Sequence, residues 1–365
     1  MLANVIVFII VLSILIFIHE LGHFIAAKKS GIKVEEFGFG YPPRIWGKKV
    51  GGTVYSVNLI PFGGFVRLLG QERREKEKYS PSELRQAFFN KSKKTRSLVL
   101  LAGIFNNFLL GVLCFSVIYS KLGIPRKLGA VEIVEVLSGG PAAEAGLQAG
   151  EQITAIQGQE TVSIAEFTDL IEANQGQEIS LQAGEKELTL IPRKNPPPEE
   201  GSLGVIITDT ELVFYPWWQM PFLGAWEGLK EAFGWSLMVL EGICLSLRQL
   251  FAGVVPEVAG PVGIFQLTAG AAEQGLLSLI QFVGILSVNL AVLNLLPLPA
   301  LDGGHLVFVF VGDLLEEKRR EKVEHIINLV GFVFLLSLMV LVTISDLSRL
   351  WQGWSLFNLF RRWFS

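Results

Sequence analysis

Four long apolar runs, at about residues 3–27, 97–120, 281–310 and 326–348, constrain this 365-residue chain more than any other feature. Each reaches the ~20 residues that a helix needs to cross a bilayer core of about 30 Å. Hydrocarbon offers no partner to a bare N–H or C=O, so such runs can cross as helices but not as loops. Half of the chain is hydrophobic, 18% is charged and the mean hydropathy is +0.47, which together predict a multi-span α-helical membrane protein. The net charge of -3 argues against a nucleic-acid partner. Cys114 and Cys244 both fall in apolar stretches, where they read as packing residues rather than a disulfide or metal pair.

The first run has no Lys or Arg before it, and Lys28 and Lys29 follow it. That polarity is the reverse of a signal peptide and predicts an uncleaved span with its N-terminus outside. Residues 28–96 hold sixteen Lys or Arg, whereas the much longer 121–280 holds eight; the EEKRREK connection before the last span adds four. Positive charge collects on the cytoplasmic side, so 28–96 and 316–322 are expected inside and 121–280 outside.

The outer segment divides further. In 121–198, GAVEIVEV and SLQAGEKELTLIPR alternate like strands, and SIAEFTDLIEA has helical spacing with Ser163 and Glu166 placed as a capping box. The prolines at 196–198 mark a linker. GGPAAEAGLQAGEQITAIQGQ resembles the part of a PDZ domain where a helix start, a glycine turn and a strand follow one another; a small structural module is the plainer alternative. Within 199–280, the stretch 217–250 carries five charges and four tryptophans, and is expected to lie as an amphipathic helix on the outer membrane surface.

One inner stretch is too apolar for an ordinary loop. TVYSVNLIPFGGFVRLLG, residues 53–70, joins β-branched residues to a hairpin-like Pro61-Phe62-Gly63-Gly64. We expect a hairpin re-entering the membrane beside the active site; an edge strand of a small cytoplasmic sheet is the alternative.

The chemistry begins inside the first span. HELGH places His19 and His23 four residues apart, so that a helix presents both imidazoles on one side. Ionisable groups at that depth cost on the order of 2.5–3.5 kcal/mol each, and bound Zn²⁺ would account for them. Glu20, between the two, is placed to take a proton from a water that the metal acidifies. A catalytic zinc commonly has a third protein ligand, and Asp302 is the acid of the 281–310 run. Pro297 and Pro299 break the helix before it, and Gly303 and Gly304 follow. A carboxylate facing a polar vestibule would be the plainer reading. Asn289 and Asn294 in the same run could hold an unwound substrate backbone or another helix. His305 reads as structural and His325 as solvated.

HELGH in the first span with LPLPALDGGH in a later one resembles the site-2 protease family of intramembrane zinc metalloproteases. The single PDZ-like insertion resembles the bacterial branch that contains the regulator of sigma-E protease. The resemblance runs over nearly the whole chain. It implies four transmembrane helices and a re-entrant β-hairpin around an inserted α+β PDZ-like domain, in a multi-pass protein of the bacterial inner membrane with its active site toward the cytoplasm. It also implies His19, His23 and Asp302 as zinc ligands, Glu20 as general base, and Asn289, Asn294 and the strand at Gly63 and Gly64 as substrate contacts. LAGIFNNF in the second span is similar to the family's A-G-P-x-x-N-F, with Asn107 at the asparagine and Ile104 where proline is usual. Relatives with two PDZ domains exist, whereas this chain has one such region. The expected organisation is an N-terminal membrane part (1–120), the PDZ-like domain (121–198), interfacial helices (199–280) and a C-terminal membrane part (281–365).

The expected activity is hydrolysis of transmembrane segments, such as trimmed anti-sigma factors or remnant signal peptides. The partners are then membrane-embedded substrates, the bilayer, and a peptide or C-terminus at the PDZ-like domain, which captures new ends or excludes untrimmed chains by size. A membrane-anchored zincin with soluble substrates would place its third ligand in a soluble region. A PDZ scaffold without catalysis would not need HELGH with Asp302.

Overall fold

The computed structural model of the protein describes residues 2–71, 79–197, 200–252, 259–312 and 317–351. It divides into two compact units, Met1–Ile118 with Gly224–Ser365, and Tyr119–Leu223. The RREKEK run, 73–78, lies outside the described residues.

In the first unit, α1 (Leu2–Lys29) is one uninterrupted helix, about 42 Å long at 1.5 Å per residue. After a turn come β1 (Val34–Val50) and β2 (Thr53–Leu68), which form one antiparallel hairpin. Its turn is Gly51-Gly52, both at positive φ, where a side chain would strain the backbone. The Pro61–Gly64 segment is therefore not the hairpin turn that its composition suggests; it is a bend inside β2. The bend lets β2 serve twice, because residues 36–39 of β1 lie in register opposite both 54–57 and 64–67. Buried Glu36 locks this layer, accepting from Arg44 at 2.6 Å and Ser56 Oγ at 2.7 Å, with Arg67 at 3.4 Å.

The short α2 (Pro81–Gln86) is closed by a reciprocal capping box between Ser80 and Glu83. There Lys33 and the Ser80 backbone and hydroxyl groups pull the Glu83 carboxyl down to about 2. The second long apolar helix, α3 (Lys93–Leu122), follows.

The second unit is a mixed module. β3 (Ile124–Val136), the single-turn α4 (Pro141–Glu144), β4 (Gln152–Ile156), β5 (Gln159–Glu160), α5 (Ile164–Ala173), β6 (Ile179–Ala183), β7 (Lys186–Leu190) and β8 (Val205–Val213) follow in order. The main sheet path is β7-β6-β4-β3-β8, with β5 paired to β4. Ser163 caps α5 by accepting from the Glu166 N–H, while the Glu166 carboxylate accepts from Val162 rather than closing the box on Ser163. The core gathers Val131, Ile153, Ile156, Phe167, Ile179 and Leu181. The prolines near 196 do not end this sheet, since β8 lies beyond them and pairs along β3 from Ile124↔Val213 to Val136↔Val205.

Residues 217–250 supply α6 (Met220–Phe251), one continuous helix that belongs to the first unit from Gly224 on. Near its start, a Cβ on Gly228 would lie 2.5–2.8 Å from Ser116 and Val112, so α6 touches the backbone of α3 directly. Next, α7 (Pro261–Glu273) meets α1 through an edge-on Phe8–Phe265 pair and receives the buried Asp346 carboxylate on its Gly263 N–H at 2.8 Å.

The run expected as one span at 281–310 is two helices, α8 (Leu276–Leu295) and α9 (Asp302–Val311). Proline has no N–H and forces the residue before it out of helical geometry; Leu296, before Pro297, is accordingly extended. The last helix, α10 (Glu317–Trp351), supports the break, because its Asn328 accepts from Ala300 N–H at 3.2 Å and Gly331 lies flush against Pro299. Among the described residues, four helical stretches are long and apolar enough to cross a membrane, Leu2–Lys29, Lys93–Leu122, Leu276–Leu295 and Lys322–Ser348. The chain is a multi-pass membrane protein.

Candidate metal centre

The site forms where α1, α3, α9 and β2 meet. His19 and His23 stand one turn apart on α1 and share a side, as their spacing requires. Their rings turn edge to face, with Nε2 atoms 3.1 Å apart. Asp302 arrives at the first turn of α9, where the positive end of the helix dipole favours a carboxylate. Its Oδ2 lies 3.0 Å from His19 Nε2 and 3.2 Å from His23 Nε2. Gly303 and Gly304 make this possible, because a Cβ at either would fall 2.2 Å from a carbonyl of Leu296 or Leu298.

Three lone-pair atoms thus form a near-equilateral triangle. Asp302 Oδ2 is buried with no hydrogen-bond partner. His23 Nδ1 lies 2.8 Å from the Val99 carbonyl, to which its N–H donates, so His23 Nε2 is left as an acceptor. Acceptors facing one another at about 3 Å call for a cation between them. A tetrahedral Zn²⁺ with bonds of about 2.0–2.1 Å spaces its ligands by about 3.3–3.4 Å, close to these edges, and three protein ligands leave a fourth position open. His19, His23 and Asp302 are also the group of metal-ligating type found among the described residues.

The α3 helix backs the pair. A Cβ on Gly22 would lie 2.2 Å from the Ala102 carbonyl, and one on Gly103 would lie 2.4 Å from His23 Nε2. Glycine at both positions brings the helices into direct contact, the small-residue packing common between membrane helices. Glu20 points to the other side, where its Oε2 accepts from Val66 N–H at 3.1 Å.

A cavity of about 400 Å³ opens on the triangle, lined by His19, Glu20, His23, Val66, Asn294 and Asp302 among others. Asn294 therefore reaches the site. Asn289 does not contribute to the lining, and its buried Oδ1 lacks a hydrogen-bond partner. Gly63 and Gly64 also stand off the cavity: they pack on Ile16 and Phe17 of α1, and Ser13 Oγ bridges Gly63 N–H and the Pro61 carbonyl. His305 faces Glu324 at 3.8 Å and is not part of the cavity lining, and His325 is exposed.

Val99, Gly103, Ser13 and Asn328 were not visible as site residues in the sequence. Val99 acts through its backbone, which has no residue-type signature, and Gly103 acts through a missing side chain, its one signal being its place as the glycine of LAGIFNNF. Ser13 and Asn328 did carry one, as polar groups inside apolar runs.

The chain matches Peptidase family M50 over residues 7–338. It is 31% identical over 324 residues to a "Putative zinc metalloprotease" of Clostridium acetobutylicum, covering 87% of this chain and 88% of that one. A "Putative zinc metalloprotease" of Helicobacter pylori is 32% identical over 340 residues, covering 89% and 93%. The "Zinc metalloprotease RasP" of Geobacillus kaustophilus is 27% identical over 407 residues, covering 89% and 94%.

Proposed function

The chain belongs to Peptidase family M50, and we propose that it cleaves membrane-spanning segments of other proteins at the His19–His23–Asp302 centre. The observation that carries this reading is the triangle itself, whose edges of 3.0–3.2 Å suit one tetrahedral ion. The triangle is built on a membrane-length helix, with Glu20 beside it on the cavity wall. Bound there, Zn²⁺ supplies Lewis-acid polarisation of the scissile carbonyl and acidifies a water. His19, His23 and Asp302 hold it, and Glu20 takes the proton from the attacking water and returns it to the departing amine. Asn294 on the cavity wall would hold the unwound substrate backbone, and Asn289, off that wall, would serve helix packing instead.

The strand 63–68 would pair with that backbone. Support comes from Ser13, which meets Pro61 and Gly63 about 24 Å along α1 from Lys29 at 1.5 Å per residue, well inside a core of about 30 Å. A hairpin at that depth would be a re-entrant one. The density of Lys and Arg in 28–96 favours a cytoplasmic side for the site, and the module at 121–213 would then lie outside a bacterial inner membrane. Its helix start at Pro141, glycine turns and strand β4 suit a PDZ-like domain, which would bind new C-termini or exclude bulky chains. The tryptophan-rich start of α6 suits the outer membrane surface. Trimmed anti-sigma factors or remnant signal peptides fit as substrates.

The test is reconstitution in liposomes with a panel of single-span peptides, comparing wild type with Glu20→Gln. Cleavage within the apolar segment that stops with chelator or with Glu20→Gln supports the reading; equal cleavage by both proteins, or none by either, overturns it.

A further inference from the structure

His19 offers Nε2 to Asp302 and His23, so its Nδ1 must carry the proton of the neutral ring. A ligating histidine is held in tautomer and orientation by an acceptor for that second N–H. His23 has the Val99 carbonyl. The group facing His19 Nδ1 is the side-chain amide of Asn107, whose Nδ2 lies 3.4 Å away.

Asn107 is fully buried, and its Oδ1 has no hydrogen-bond partner. In this orientation two N–H groups face each other while an acceptor stands idle. A half-turn of the amide exchanges its ends and turns Oδ1 toward the imidazole N–H. The two amide ends differ little in shape, so the hydrogen-bond network decides between them. The position itself is fixed from both sides. Val99, Gly103 and Asn107 recur every four residues on one face of α3, meeting His23, then both rings, then His19. Behind them, Ser287 Oγ of α8 donates to the Asn107 backbone carbonyl at 2.7 Å.

We infer that Asn107 is the positioning residue for His19: its side-chain oxygen accepts the Nδ1 proton and keeps the Nε2 lone pair aimed at the metal. This rests on the zinc reading of the site. Nothing in it requires Asn107 to touch substrate.

The test measures Zn²⁺ affinity of the full-length protein in detergent by competition with a chromogenic chelator, together with the visible spectrum of the Co²⁺-loaded form. Asn107→Ala and Asn107→Leu should bind Zn²⁺ about 10–100-fold more weakly and alter the Co²⁺ bands. Asn107→Asp, which keeps an acceptor, should stay near wild type in both. Ser287→Ala, which loosens the same helix contact without touching the amide, should also stay near wild type. Wild-type affinity in Asn107→Leu, loss in Asn107→Asp equal to that in Asn107→Leu, or loss in Ser287→Ala equal to that in Asn107→Ala would overturn the inference alone. Wild-type protein that takes up no Zn²⁺ would overturn the functional reading as well.

Discussion

Gly103 makes room for His23: a Cβ at that glycine would stand 2.4 Å from His23 Nε2 and 2.9 Å from His19 Cε1. Both rings would have to move, because the added atom belongs to a helix backbone that cannot yield alone. Gly103→Ala should therefore reduce zinc content by at least about 10-fold, the lower end of what loss of support around a metal ligand costs. Metal analysis of the purified variant checks this, and wild-type zinc content would refute it.

Asp302→Ala removes one corner of the triangle and leaves two imidazoles. The loss of Zn²⁺ affinity should exceed the roughly 100-fold ceiling expected for supporting residues. Chelated wild type should lose activity and regain it with added Zn²⁺, whereas Asp302→Ala should regain none. Chelator titration followed by add-back separates the two proteins.

Glu20 sits outside the triangle and accepts from Val66 N–H at 3.1 Å. In Glu20→Gln the proton acceptor disappears while all three corners remain. Turnover should fall by about 10²–10⁴-fold, the usual contribution of general acid–base catalysis, with zinc content unchanged. A variant that loses metal as well as activity would make Glu20 a structural part of the centre instead.

Ser13 ties the bend of β2 to α1 by bridging the Pro61 carbonyl and Gly63 N–H. Ser13→Ala should loosen that contact by about 1 kcal/mol, one net hydrogen bond. Hydrogen exchange in residues 60–66 should rise, and zinc affinity should not change. Unchanged exchange there would show that Ile16 and Phe17 hold the bend without the hydroxyl.

Much of the site is legible in the amino-acid sequence, and for one reason. Ionisable groups are costly in apolar runs, so His19, Glu20, His23 and Asp302 stand out wherever they occur. Strands β3, β6 and β7 of the 119–223 module were legible from alternation, and α5 from its cap. What stayed hidden depended on partners far away in the chain. The Pro61–Gly64 segment has the composition of a turn, but β1 pairs with both halves of β2 and makes it a bend. Pro196 and Pro197 have the composition of a domain boundary, yet β8 beyond them finds its place beside β3. Gly103 is the glycine of LAGIFNNF, but only His23 set against it shows why no side chain fits there.

The triangle draws two corners from the start of the chain and one from near its end, about 280 residues later. At synthesis rates of roughly 5–20 residues per second, α1 waits on the order of 15–55 s in the bilayer before Asp302 exists. During that interval the growing chain lacks the third corner of the triangle. The triangle is therefore complete only once the segment beyond the Pro297–Leu301 break, which carries Asp302 on α9, has been made and packed.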